Sequence, residues 1–145
     1  MKKYLLFVFA LCYAASSFAQ DIPAKDVPSV VANVFKKQFP KATDVEWERK
    51  NELYKVEFEI NRQEHSMWID GSGNVARHKQ DIRAQDLPAA VRSAIARDYK
   101  DYKIDDVEKS EAGNVIHFKV ELKKGSEDID VFFDLQGEKV ENAGF

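Results

Sequence analysis

Apolar residues at Val27, Val30, Val31, Val34, Phe35 and Phe39 recur at helical spacing and predict an amphipathic helix. Asp26 stands where an N-cap would sit, Pro28 suits a first turn, and Pro40 stops the helix. A second run with Leu87, Val91, Ile95 and Tyr99 on one face follows Asp86 and Pro88. There Lys100-Asp101 replaces the proline stop, so that helix is expected to run on toward Tyr102. After each helix the period changes to two. Tyr54, Val56, Phe58 and Ile60 alternate with Lys55, Glu57 and Glu59, and Ile116, Phe118, Val120 and Leu122 alternate with His117, Lys119 and Glu121.

Four strands are expected per unit: 45–48, 54–60, 67–70 and 75–79, then 107–109, 115–122, 129–134 and 139–141. Turn residues separate them, among them Asn61-Arg62-Gln63, Gly71-Ser72-Gly73-Asn74 and Lys124-Gly125-Ser126. The connections are too short for parallel crossovers, so the sheet should be antiparallel. One face of it would be buried under the helices and the other would meet water.

The chain therefore says the same thing twice. Asp26-Val27-Pro28 is echoed by Asp86-Leu87-Pro88, Tyr54–Glu59 by Ile116–Glu121, and Trp68–Gly73 by Phe132–Gly137. The offset grows from 60 to 62 to 64 residues, so the units differ by small loop insertions. Such a period marks a repeated supersecondary unit. The fold class is α+β, a tandem helix plus four-stranded antiparallel meander with both helices on one face and the two halves sharing one apolar interior. The expected boundaries are 20–82 for the first unit and 83–145 for the second.

Residues 1–19 carry Lys2 and Lys3, an apolar stretch from Tyr4 to Ala15, and Ser17-Phe18-Ala19. This is the pattern of an export signal cleaved near Ala19-Gln20, which places the mature chain in the periplasm or outside the cell. Cleavage would remove Cys12, the only cysteine, so the exported chain would hold no disulfide. Of 22 basic side chains, 20 then remain against 25 acidic ones, a net charge of −5. Interspersed charge of this sign argues against nucleic acid or an anionic membrane as partner, and no membrane insertion is expected after signal removal.

With the paired Asp-x-Pro helix starts, the alternating strands and the aromatic-x-Asp-x-x-Gly turns in view, the chain resembles the PepSY-like, or β-lactamase-inhibitor-protein-like (BLIP-like), proteins of bacterial envelopes. The likeness spans about residues 22–142. It implies two helix-plus-meander units joined into one curved antiparallel sheet whose concave open face docks a protein. Secreted β-lactamase inhibitors of that fold carry a disulfide in each half, which this mature chain lacks. No inhibitory loop matches, so lactamase inhibition itself is not carried over.

Catalysis has little to stand on. His65, His78 and His117 are spread over three strands, with no nucleophile elbow, zinc motif or phosphate loop. Asp70, Ser72 and Asn74 place oxygens at alternate positions, as in the start of a calcium loop. Late ligands are missing and the Asp134 echo loses the spacing, so a hairpin turn capped by Asp70 is the favoured reading, with a weak calcium site as the alternative; no other cofactor is expected. A small-ligand carrier would need an apolar pocket in the sheet's concavity, where the alternation places charges.

The reading preferred is a non-enzymatic binding module, an inhibitor being one form of it, with an envelope or secreted protein or peptide as partner and the chain itself a monomer. Trp68 and Phe132 interrupt an otherwise charged face as aromatic anchors, with Trp47 grouped beside them and Glu57 and Lys119 in the charged rim.

Overall fold

The computed structural model describes Gln20–Glu141, so the expected signal sequence lies outside the described residues. Eight strands follow one another in a single antiparallel sheet in chain order. They are β1 (Gln20–Asp21), β2 (Thr43–Lys50), β3 (Leu53–Ile60), β4 (Gln63–Asp70), β5 (Val75–Asp81), β6 (Lys103–Ala112), β7 (Val115–Lys124) and β8 (Glu127–Asp134). Helix α1 (Ser29–Gln38) lies between β1 and β2, and α2 (Ala89–Asp98) between β5 and β6.

Each helix is preceded by a separate 3-10 turn, Ala24–Asp26 or Ala84–Asp86. This corrects the helix starts read from sequence. Pro28 and Pro88 occupy the N-cap positions with no side-chain cap, while Asp26 and Asp86 end the preceding turns. A residue before proline is pushed out of the α region, which separates the turn from the helix. At the other end α2 stops at Asp98 without a proline, because Tyr99 leaves helical geometry and its carbonyl accepts from Tyr102 N–H at 2.9 Å.

The strand count of eight matches the expectation, but the strands are distributed differently. Residues 139–141 form no strand and supply one isolated bridge, Phe133 to Lys139. The missing member is β1. Gln20 and Asp21 pair with Arg49 and Glu48 as Gln80 and Asp81 pair with Lys109 and Glu108. Ile22 N–H then donates to Trp47 O, and Ile82 N–H to Val107 O, each at 2.9 Å. The repeat thus opens at Gln20-Asp21-Ile22 and again at Gln80-Asp81-Ile82. Strand β5 closes the first unit while opening the second. A bulge recurs as well, between Thr43 and Glu46 in β2 and between Ile104 and Asp106 in β6.

The apolar interior is divided. Val31 and Phe35 of α1 pack with Trp47, Val56, Phe58, Met67 and Ile69. Val91, Ala94 and Ile95 of α2 pack with Val107, Phe118, Val120, Leu122 and Phe133. These are two clusters rather than the single shared core expected, because β5 between them contributes no fully buried side chain. The aromatic-x-Asp-x-x-Gly turns tuck under the helices. A Cβ on Gly137 (φ 79°) would meet Ala90 O at 2.6 Å, and one on Gly73 (φ 90°) would meet Val30 and Val34 at 3.2 Å. The glycine of the motif serves both the left-handed turn and the close approach.

Candidate partner-binding face

Side chains on each strand alternate between the core and the opposite side. On β4, Met67 and Ile69 are buried, so Trp68 points away from the first core; on β8, Val131 and Phe133 are buried, so Phe132 points away from the second. Both aromatics are half-buried rather than fully exposed. Trp68 lies between Lys55 and Arg77 in the cross-strand register, with the cations 5.9 and 4.7 Å from its ring. Phe132 lies opposite Lys119. By strand register the Lys55–Trp68 pair and the Lys119–Phe132 pair occupy the same place in the two repeats, which corrects the offset between β3 and β7 from the 62 read in the sequence to 64 and makes Lys119, not His117, the counterpart of Lys55.

The charged rim is organised by these lysines. Lys55 Nζ reaches Glu57 at 2.7 Å and Glu48 at 3.4 Å; burial works against its charge, yet the two carboxylates hold its pKa above the ordinary lysine value. The Asp130 carboxylate, 3.1 Å from Lys119, raises that lysine in the same way. Glu57 and Lys119 both lie on the side of their strands away from the cores.

Trp47 does not. It is 6% exposed and packs edge-on against Phe35 at 5.4 Å, inside the first core. Acids flank it at Glu46 and Glu48, and the same alternation that exposes them turns the indole inward.

Asp70, Ser72 and Asn74 come together as a turn. Asp70 Oδ1 accepts the backbone N–H groups of Ser72 at 2.8 Å and Asn74 at 3.0 Å, and Oδ2 accepts from the Asn74 amide at 2.9 Å. Those bonds, the Asn74 amide foremost, hold the carboxyl below the usual aspartate range. Asp134 caps its turn alike, accepting from Gln136 and Glu138 N–H at 2.9 Å each. Among the described residues no group of three or more His, Cys, Asp or Glu is placed to hold a metal ion.

Two features escaped the sequence. Asp81 lies beside Glu108 on the side of β5 opposite His78 and Gln80; burial, then repulsion from Asp106, Glu64 and Glu108, pushes it up to about 6. Glu108 is neutralised by Lys79 at 2.8 Å, and Asp81 has no cation of its own among the described residues. Second, His65 and His78 meet between β4 and β5, stacked with each other and with Phe58. The strand register was the signal needed: the Gly71–Asn74 hairpin folds β5 back beside β4, which brings these two histidines into diagonal contact.

A family model described as "Putative beta-lactamase-inhibitor-like, PepSY-like" matches the chain twice, over residues 16–77 and 62–140. The chain belongs to the PepSY-like family. Solved structures similar to this PepSY-like chain include several from Bacteroides. A BLIP-like protein from Bacteroides fragilis shares 26% identity, with 77% of this chain and 82% of that one covered at a TM-score of 0.66. A DUF2874 family protein from Bacteroides uniformis shares 23% identity over 79% and 86% of the two chains, TM-score 0.69. A third, described as a "putative periplasmic" protein from Bacteroides eggerthii, shares 20% over 79% and 86%, TM-score 0.71. No curated protein matches the PepSY-like chain. None of its described helices is long and apolar enough to cross a membrane.

Proposed function

We propose that the protein is an exported, non-catalytic binding module that grips a protein or peptide partner on the open side of its sheet. The observation that carries this reading is the repeated lysine–aromatic pair, Lys55–Trp68 and Lys119–Phe132, on strands whose other outward positions are mostly charged, Ser66 and His117 among the exceptions. Large aromatics half-covered by charged neighbours are the residue type and setting of interface hot spots.

Both helices cover one face in this reading. Its support is the register: Phe58 pairs with His65, His65 with Gln80, Gln80 with Lys109 and Lys109 with Phe118, and directly paired residues share a face. On the other face Asp81 pairs with Glu108, Glu108 with Lys119 and Lys119 with Phe132, so Phe132 and the acids share a row. A basic side chain of the partner would relieve the repulsion around Asp81 and set the orientation of docking. Export to the periplasm or beyond rests on the character of residues 1–19 and on the periplasmic description of one structural relative. Blocking the partner's own activity is one outcome of such docking, in keeping with the family's description.

The test compares the wild-type chain with Trp68→Ala/Phe132→Ala as bait for envelope proteins of the native cell. The double variant should stay within about 1 kcal/mol of wild-type stability and lose the partner. Equal recovery by both baits would remove the open face from the function, and gross unfolding of the variant would assign both rings to structural packing.

A further inference from the structure

The two repeats are built alike, so each shows what the other lacks. At the end of α1, Phe39 O accepts from Ala42 N–H at 3.2 Å; at the end of α2, Tyr99 O accepts from Tyr102 N–H at 2.9 Å. The turn is the same, and the side chain it presents is a methyl group in one half and a phenol in the other. Tyr102 packs against the second core and meets Tyr99 edge-on at 5.9 Å. Arg92 stands where the first half has Ala32, its guanidinium donating back to the carbonyls of Leu87 and Gln85 at 2.5 and 3.0 Å.

With alanine at both places, the first half has a groove of about 520 Å³ between α1 and β2. Phe35, Phe39 and Trp47 form its aromatic wall, and Ala32, Ala42 and Val45 complete it. Val45 is 39% exposed here. The volume falls within the range of small-molecule sites. Lys36 lines the groove, and Lys41 lies between its lining residues Pro40 and Ala42. Neither lysine has an ion-pair partner among the described residues. The second half differs here too: Ala96 replaces Lys36, and Asp101, at the place of Lys41, is paired with Lys124 at 3.3 Å.

We infer that this groove is a binding site for a small aromatic carboxylate. The ring occupies the space that Tyr102 fills in the second half, against Phe39 and Trp47, and the carboxylate meets Lys36 and Lys41 at the rim. The apolar wall supplies area and ring–ring contacts, and the two uncompensated cations choose an anion over a neutral analogue. The site lies apart from Trp68 and Phe132, so it stands or falls independently of the open-face reading.

The test uses 3-phenylpropionate as probe and a Trp68→Phe background, which leaves Trp47 as the sole tryptophan. Saturable change in its emission is expected, with 3-phenylpropionamide binding at least fivefold more weakly. Ala42→Tyr, which installs the second half's own residue, should weaken the acid at least tenfold and raise the melting temperature. Ala32→Arg is the companion variant should Ala42→Tyr fail to fold, with the same loss expected. Lys36→Ala/Lys41→Ala should bring the acid down to the affinity of the amide. No saturation by roughly 10 mM overturns the inference, as does undiminished binding to the filled groove. Equal affinity for acid and amide overturns it too, and would assign the groove to an uncharged ring such as a peptide side chain.

Discussion

His65 Nδ1 lies 3.1 Å from His78 Nε2, the two imidazoles stacked with centroids 5.3 Å apart. Phe39 and Phe58 pack on them, Glu111 faces His78 Nδ1 at 3.7 Å, and Lys109 is paired with Glu111. A bond of this kind needs at least one neutral ring. Burial, and then mutual repulsion, lowers the pKa of His65; burial foremost, opposed by Glu111, lowers that of His78.

A histidine depressed in the folded state binds fewer protons there than in the unfolded chain, between its folded pKa and about 6.5. Stability should therefore fall as pH drops below that value. Thermal melts from pH 7.5 downward check this, and His65→Gln should flatten the decline; an unchanged slope would show that the pair does not control it.

Asp81 runs the opposite way. Raised to about 6 from 3.8, it binds more protons in the folded state within that window, so folding gains as pH falls through 6. Asp81→Asn should stabilise the protein at pH 7 by up to about 1 kcal/mol after allowance for solvent screening, with the gain gone below about pH 4. Urea unfolding at both pH values measures it.

The two motif glycines should differ. Gly73→Ala pays the left-handed backbone cost of about 1–2 kcal/mol, and the Val30 and Val34 side chains can yield to its methyl. Gly137→Ala meets the carbonyl oxygen of Ala90, which is main chain and cannot swing aside, so it should cost clearly more, about 3 kcal/mol. Denaturant melts of the two variants rank them.

Trp47 and Trp68 separate core from surface. Trp47→Ala removes a ring that contacts Phe35 in the first core and should cost about 3–5 kcal/mol. Trp68→Ala loses contacts with Lys55 and Arg77 and should cost about 0.5 kcal/mol. Comparable losses would place Trp68 in the core as well.

Asp70 acts as a turn cap. Asp70→Ala should lower the melting temperature through loss of its N–H partners, as thermal melts would show. Millimolar calcium should leave the melting temperature unchanged, and an upward shift would revive the metal reading of Asp70, Ser72 and Asn74.

Periodicity made the helices, the antiparallel strands and the outward place of Trp68 and Phe132 legible, because a strand's two faces follow from its alternation. The same rule, applied between Glu46 and Glu48, turns Trp47 inward, and residue type alone groups it with Trp68. Strand β1 escaped because two polar residues carry no hydrophobic signal, although Gln80-Asp81-Ile82 repeats them. Gln63–Ser66 of β4 is silent in the sequence for the same reason. The His65–His78 contact and the charge environment of Asp81 depend on register across β4, β5 and β6, which no local pattern contains. The groove beside Ala42 needed coordinates for both halves, since an alanine in sequence does not announce an empty space.

Each strand's hydrogen-bonded neighbours are the ones that come next in the chain, with a helix inserted only between β1 and β2 and between β5 and β6. Loop closure during folding is therefore short almost everywhere, and no strand must wait for a distant one to arrive. A polypeptide delivered amino end first, from a ribosome or through a translocation pore, can zip itself up in the order in which it emerges.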